Sequence, residues 1–139
     1  MAEIFIEFYD YDAAITYKLC NGAPEEQSRA SCYKKAVTLM PLSPSYDKTE
    51  RLVTPCKPFL KENEKYSQCY DFMLSGLLFY SPKFANRAVK LCSNVPENHK
   101  ESCFNKIGTL LKMNISSLSE REVLCKDAPD EFTRLCSAE

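Results

Sequence analysis

The eight cysteines constrain this chain more than any other feature. They fall at positions 20, 32, 56, 69, 92, 103, 125 and 136, as four couples separated by 12, 13, 11 and 11 residues. The first members of the couples step by 36, 36 and 33 residues, and the second members by 37, 34 and 33. A step of that length is the period of a two-helix repeat. An even cysteine count reads either as a disulfide framework in an oxidising compartment or as metal or thiol chemistry in a reducing one. Spacing favours the framework. No Cys-x-x-Cys occurs, so the tight knuckle of a zinc or iron–sulfur site is missing, and the single His99 cannot supply the other ligands. The paired sulfurs of a thioredoxin-like site are missing for the same reason. Neither metal nor cofactor is expected. Pairing within couples, as Cys20–Cys32, Cys56–Cys69, Cys92–Cys103 and Cys125–Cys136, is the connectivity that the repeat favours among the many allowed.

Residues around the cysteines give the repeat its helices. Lys18-Leu19-Cys20 matches Lys90-Leu91-Cys92, and Leu124-Cys125 matches in part. Four residues beyond the first cysteine stand Pro24, Pro96 and Pro129, each followed by acid: Glu25-Glu26, Glu97 and Asp130-Glu131. Proline tolerates the first helical position and carboxylates favour the positive end of the macrodipole, so each couple straddles a turn that opens a second helix. Past the second cysteine an aromatic follows in three repeats, as Tyr33, Tyr70 and Phe104. Apolar or small residues return four, seven and eight positions after that cysteine: Ala36, Leu39, Met40; Met73, Gly76, Leu77; Ile107, Leu110, Leu111. That spacing paints one helix face. Ser43-Pro44 and Ser81-Pro82 predict capped starts of the next helices, while Asn114-Ile115-Ser116-Ser117 offers caps without proline.

The expectation is an all-α chain, a short α-solenoid of four disulfide-stapled helix-turn-helix repeats at about 10–40, 43–80, 81–113 and 115–139. Eight helices are expected, over about 10–20, 27–40, 46–55, 60–80, 82–93, 97–113, 117–126 and 130–138. Pro55 and Pro58 flank Cys56 and predict a longer or kinked turn there. The fourth repeat has a short second helix, a natural cap or a cut. Residues 1–9 fit no repeat and read as an apolar, aromatic arm: an extra helical turn, an edge segment or a groove-seeking strand of chain. Each staple closes a loop of about a dozen residues, worth about 3 kcal/mol in the chain-entropy account, which offsets the thin core of a short stack.

Composition narrows function by exclusion. At 139 residues the chain is one domain, and 45% hydrophobic with 27% charged residues is an ordinary globular mix. Eighteen basic against nineteen acidic residues leave no electrostatic footprint for nucleic acid. The longest apolar stretch, around Leu77-Leu78-Phe79-Tyr80, is too short for a membrane span. Disulfides imply a secreted, periplasmic or other oxidising setting. Met1-Ala2-Glu3 begins no signal peptide, so a mature domain preceded by an added Met is expected.

The helix-turn-helix period resembles the tetratricopeptide class, and a cysteine couple in every repeat resembles its cysteine-rich, Sel-like branch. Cys103-Phe104-Asn105-Lys106-Ile107-Gly108 is the best local likeness, with an aromatic after the second cysteine and Gly shortly afterwards. Those repeats carry more Gly and Ala than this chain, which has three Gly in all. The resemblance implies a right-handed helical stack that binds protein or peptide, and it transfers no catalytic residue. Twin Cys-x9-Cys proteins of the mitochondrial intermembrane space place both cysteines on one unbroken helix. Pro24, Pro96 and Pro129 break that interval here. Plant lipid-transfer proteins need a Cys-Cys and a Cys-x-Cys that this chain lacks.

Catalysis has little to stand on. His99 sits in the polar run Glu97-Asn98-His99-Lys100-Glu101 and reads as a solvated helix position. Glu25/Glu26 and Glu62/Glu64 read as helix-start acids rather than as an acid–base pair. Lys83, Arg87 and Lys90 read as a solvated helix side. Tyr33, Tyr70 and Phe104, beside the disulfides, are expected to pack between helices. The less regular aromatics Phe5, Phe8, Tyr9, Tyr11 and Tyr80 are the candidates for partner contact. Asn114-Ile115-Ser116 is a glycosylation sequon in a eukaryotic host and otherwise an interhelix cap. The chain is thus expected to be no enzyme but an extracytoplasmic binding or scaffold module that recognises a protein or peptide. The alternative is a disulfide-braced carrier of a small apolar ligand, and a third reading keeps thiol or metal chemistry.

Overall fold

Asp12 opens the described part of the chain: its Oδ1 accepts the Ile15 amide at 2.9 Å and so satisfies one of the free donors at a helix start. The computed structural model describes residues 12–139, all helix, turn and coil, without a strand among them. Helix α1 (Ala13–Asn21) runs to the turn at Gly22, and α2 (Glu26–Leu39) returns beside it with Glu25 at its cap and Glu26 in its first turn. Cys20–Cys32 ties the two at a Cα separation of 5.6 Å, within the span a disulfide needs.

The second segment is the most broken, for the reason its prolines imply. Ser43 accepts the Ser45 amide, but Pro44 starts a 3-10 turn to Asp47 rather than an α-helix. Helix α3 is only Thr49–Val53, and a second 3-10 stretch, Thr54–Phe59, carries Pro55, Cys56 and Pro58. Proline supplies no amide for the α-helical ladder, so the expected helix over 46–55 breaks into three pieces. Helix α4 (Asn63–Tyr80) follows, joined back by Cys56–Cys69.

Ser81 accepts the Lys83 amide, and Pro82–Phe84 again forms a 3-10 turn before α5 (Ala85–Asn94). Pro96 caps α6 (Glu97–Asn114), which Cys92–Cys103 ties to α5. Ser117 caps α7 (Leu118–Leu124) by accepting from the Glu120 amide. After Pro129 the turn Asp130–Phe132 runs into α8 (Thr133–Ser137), held by Cys125–Cys136. The eight cysteines thus form four disulfides, each inside its couple and each across a turn. Such bridges belong to an oxidising, extracellular-type compartment.

Each returning helix packs on the next. α2 lies against α4, α4 against α6 and α6 against α8, while α3 lies against α5. One hydrophobic cluster runs through all of them. Along α6 the buried residues His99, Cys103, Phe104, Ile107, Gly108 and Leu111 trace a single stripe at helical spacing. Phe104 stacks on Phe132 with ring centroids 4.9 Å apart, and so joins α6 to the last turn. On α4, Tyr70, Met73, Leu74 and Leu77 are completely buried, because neighbours cover this helix on both flanks. Full burial of side chains of this size contributes about 1.5–3 kcal/mol each. None of the described helices is long and apolar enough to cross a membrane.

Candidate functional site

The surface between α2 and α4 holds an open groove of about 460 Å³. Its floor is Tyr33 and Val37 from α2, Phe72 from α4, and Phe59 from the 3-10 stretch before α4. The local sequence explains why these residues meet. Tyr33 follows Cys32, Val37 lies one turn further on, and Phe72 lies three residues beyond Cys69. The two disulfides therefore set the rotation of both helices. Val37 is buried, whereas Tyr33, Phe59 and Phe72 are only partly buried and line the groove. Behind the floor, Tyr17 packs edge-on against Tyr33 at 5.4 Å and tilts against Phe59 at 6.0 Å, so the rings brace one another. The Tyr17 hydroxyl donates to the Pro55 carbonyl at 2.7 Å, which ties α1 to the stretch carrying Phe59. Burial, with Tyr46 and Tyr33 adding to it, holds that phenol far above its ordinary pKa. The Tyr33 hydroxyl donates to Asn21 Oδ1.

The walls are cationic. Lys34 stands on α2 and Lys65 on α4, and among the described residues no carboxylate lines the groove. The Lys34 ammonium lies 5.2 Å from the centre of the Phe72 ring, a cation–π arrangement that holds the charge at the groove edge. Lys65 pairs with Glu62 at 3.0 Å, but both side chains are more than half exposed, and exposed pairs of this kind exchange readily.

Two further hollows are less suited to a partner. One, at the end of the chain, mixes Met113, Leu135 and Ala138 with the charged Lys112, Arg134 and Glu139, and no aromatic lines it among the described residues. The other, between the second and third hairpins, has Glu50 and Lys57 of opposite charge on its rim.

His99 departs from its expected solvated position. It is buried, 4.9 Å from the Tyr66 ring and 5.6 Å from the Tyr70 ring between centroids. Its Nδ1 lies 3.4 Å from the Tyr70 hydroxyl, which also donates to Ser102 Oγ at 3.2 Å and accepts from Ser67 at 3.1 Å. The polar run around it misleads because one helix carries both an outer face and an inner one. Burial, with Tyr70 adding to it, pushes the Tyr66 phenol up. This cluster glues α4 to α6.

Arg87 departs too. Its guanidinium donates to the Pro41 and Ser43 carbonyls at 2.7 and 2.8 Å and pairs with Asp47 at 3.2 Å, so it serves the preceding turn rather than solvent. Lys90 reaches the Asp47 carbonyl at 3.3 Å. Arg121, one repeat further along, is buried and donates to Ile115, Ser116 and Ser137 carbonyls.

Among the expected packing aromatics, Tyr70 and Phe104 are buried, while Tyr33 both packs and faces the groove. Of the five aromatics expected to touch a partner, Phe5, Phe8, Tyr9 and Tyr11 lie outside the described residues, as does the expected arm 1–9. Tyr80 closes α4, and only its backbone is described. Asn114 ends α6 on the surface, its amide donating to the Leu110 carbonyl at 3.0 Å, with Ser116 exposed beside it. Glu25 and Glu26 sit at the start of α2, and Glu62 and Glu64 at the start of α4. No group of three metal-ligating side chains occurs among the described residues.

Phe59, Phe72, Val37, Lys34 and Lys65 escape a reading of the sequence. They come from two hairpins, and only the packing of α2 on α4 brings them together. Compared with known families, curated proteins and solved structures, the chain matches none.

Proposed function

We propose that this chain is a short α-solenoid of tetratricopeptide-like hairpins, secreted or periplasmic, that binds a protein or peptide partner without catalysing a reaction. The observation that carries the reading is the aromatic groove between α2 and α4, apolar at its floor and edged by Lys34 and Lys65. Partly buried aromatics set in a braced groove are the usual anchors of recognition. Support for the stacked arrangement comes from the serial packing of α2, α4, α6 and α8, with α3 beside α5. Four staples make the surface rigid, so little conformational entropy is lost when a partner docks.

The test is selection of displayed random peptides on the disulfide-intact protein, followed by binding to two variants. Peptides selected on the native protein should lose binding to Phe72→Glu and keep it with Met113→Glu, whose side chain is exposed far along the chain. Near-ultraviolet circular dichroism checks that both variants fold. Equal binding to Phe72→Glu and the native protein contradicts the reading.

A second reading, a carrier of a small apolar ligand, draws support from the groove volume, which falls in the range of small-molecule sites. Native mass spectrometry of protein from its own host distinguishes it: a co-purified apolar molecule lost with Phe72→Glu supports the carrier.

A further inference from the structure

We infer that the partner segment is acidic and aromatic: a peptide stretch of another protein that inserts one large ring between α2 and α4 and sets carboxylates against Lys34 and Lys65. The inference rests on the binding reading above and adds the chemistry of what is bound. The floor specifies the ring. Tyr33, Phe59 and Phe72 offer aromatic faces and edges, and aromatic pairs gain beyond their buried area when stacked offset or edge to face. The volume of about 460 Å³ accommodates one or two large side chains rather than a whole helix face.

The walls specify the charge. Lys34 and Lys65 stand on opposite helices, so an inserted residue has a cation on either side of it. With Lys34 and Lys65 but no carboxylate among the described residues of the lining, a basic segment meets repulsion from both walls and an acidic one meets attraction. Lys34 is already held near the groove by the Phe72 ring, and so loses less freedom on pairing than an unconstrained lysine. Lys65 has a competing partner in Glu62, but exposed ion pairs are weak enough to be traded for a docked carboxylate. The chain as a whole is nearly neutral, with a net charge of -1, so this preference is local to the groove rather than a general attraction to anions.

The test uses four blocked, fluorescein-labelled pentapeptides on the disulfide-intact protein: Asp-Glu-Phe-Glu-Asp, its amide analogue Asn-Gln-Phe-Gln-Asn, Lys-Lys-Phe-Lys-Lys, and Asp-Glu-Ala-Glu-Asp. Fluorescence anisotropy should rank the acidic phenylalanine peptide first, roughly three- to tenfold tighter than its amide analogue at low salt. The advantage should shrink at high salt, and the alanine peptide should bind least among the acidic pair. In the double variant Lys34→Glu/Lys65→Glu the order should reverse in favour of the lysine peptide. Both lysines are exposed, so the variant keeps its fold. Equal binding of the acidic and amide peptides, unchanged by the double variant, overturns the charge preference and leaves the aromatic groove standing. Failure of every phenylalanine peptide to bind at millimolar concentration overturns the groove reading itself. Displacement of the acidic peptide by free phenylacetate at equal concentration overturns the peptide in favour of a small aromatic acid.

Discussion

Gly76 lies directly beneath the carbonyl of Thr38. A β-carbon at Gly76 would collide with that carbonyl oxygen, which belongs to the backbone of α2 and has no room to turn aside. Glycine therefore sets how closely α2 and α4 approach, and with it the width of the groove above. Gly108 stands in the same relation to the Leu135 carbonyl, at the contact of α6 with α8.

Gly76→Ala should accordingly cost about 1–3 kcal/mol, the usual penalty for overpacking a tight interior, despite alanine's better helix propensity. Gly108→Ala should act in the same direction. Thermal unfolding of each variant checks this, and a rise in Tm for either would contradict the close approach.

Arg121 should prove the most sensitive charged residue. It is 5% exposed and donates to three carbonyls, Ser137 at 2.7 Å, Ile115 at 2.7 Å and Ser116 at 2.8 Å. Arg121→Ala leaves those acceptors without their donor and should cost about 2–4 kcal/mol. Arg121→Lys should recover little, since a single ammonium does not reproduce the guanidinium fork. Chemical denaturation of the two variants gives the comparison.

Disulfide removal should be graded by reach. Replacing Cys92 and Cys103 together by alanine opens one loop and should cost about 2–4 kcal/mol. Reduction of all four bridges should unfold the chain or loosen it until near-ultraviolet dichroism is lost. An unchanged Tm in strong reductant would count against the staples as structural elements.

Alkali should destabilise the protein through its buried phenols. Burial raises the pKa of Tyr17, with Tyr46 and Tyr33 adding to it, and burial with Tyr70 raises that of Tyr66. A raised folded value means that the native state keeps protons the unfolded chain releases. The stability from this source is full below the unfolded value of about 10 and is lost as pH rises above it toward the folded value. Tm measured across this range should fall, and Tyr17→Phe should flatten the fall while lowering Tm at neutral pH through loss of the Pro55 hydrogen bond.

The helices were legible because their signals are local. Pro96 with Glu97, Ser117 before α7 and the stripe from Cys103 to Leu111 all lie within a few residues of the feature they specify. The bridges were legible because a disulfide across a turn demands a nearly constant spacing. Burial of His99 was not, since it depends on Tyr66 and Tyr70 arriving from another hairpin. Nor was the role of Arg87, whose partners Pro41 and Ser43 lie more than forty residues earlier. The groove was the least legible: Tyr33 is marked by its place after Cys32, but nothing in the spacing of Phe59 or Phe72 announces a shared floor.

The most direct measurement is an amide correlation spectrum of the isotopically labelled protein during titration with a peptide selected on it. The account predicts shifts concentrated on the amides of residues 30–37 and 65–72, on the two walls of the groove. Shifts concentrated instead on residues 105–113 and 134–139, around the hollow at the end of the chain, would contradict it.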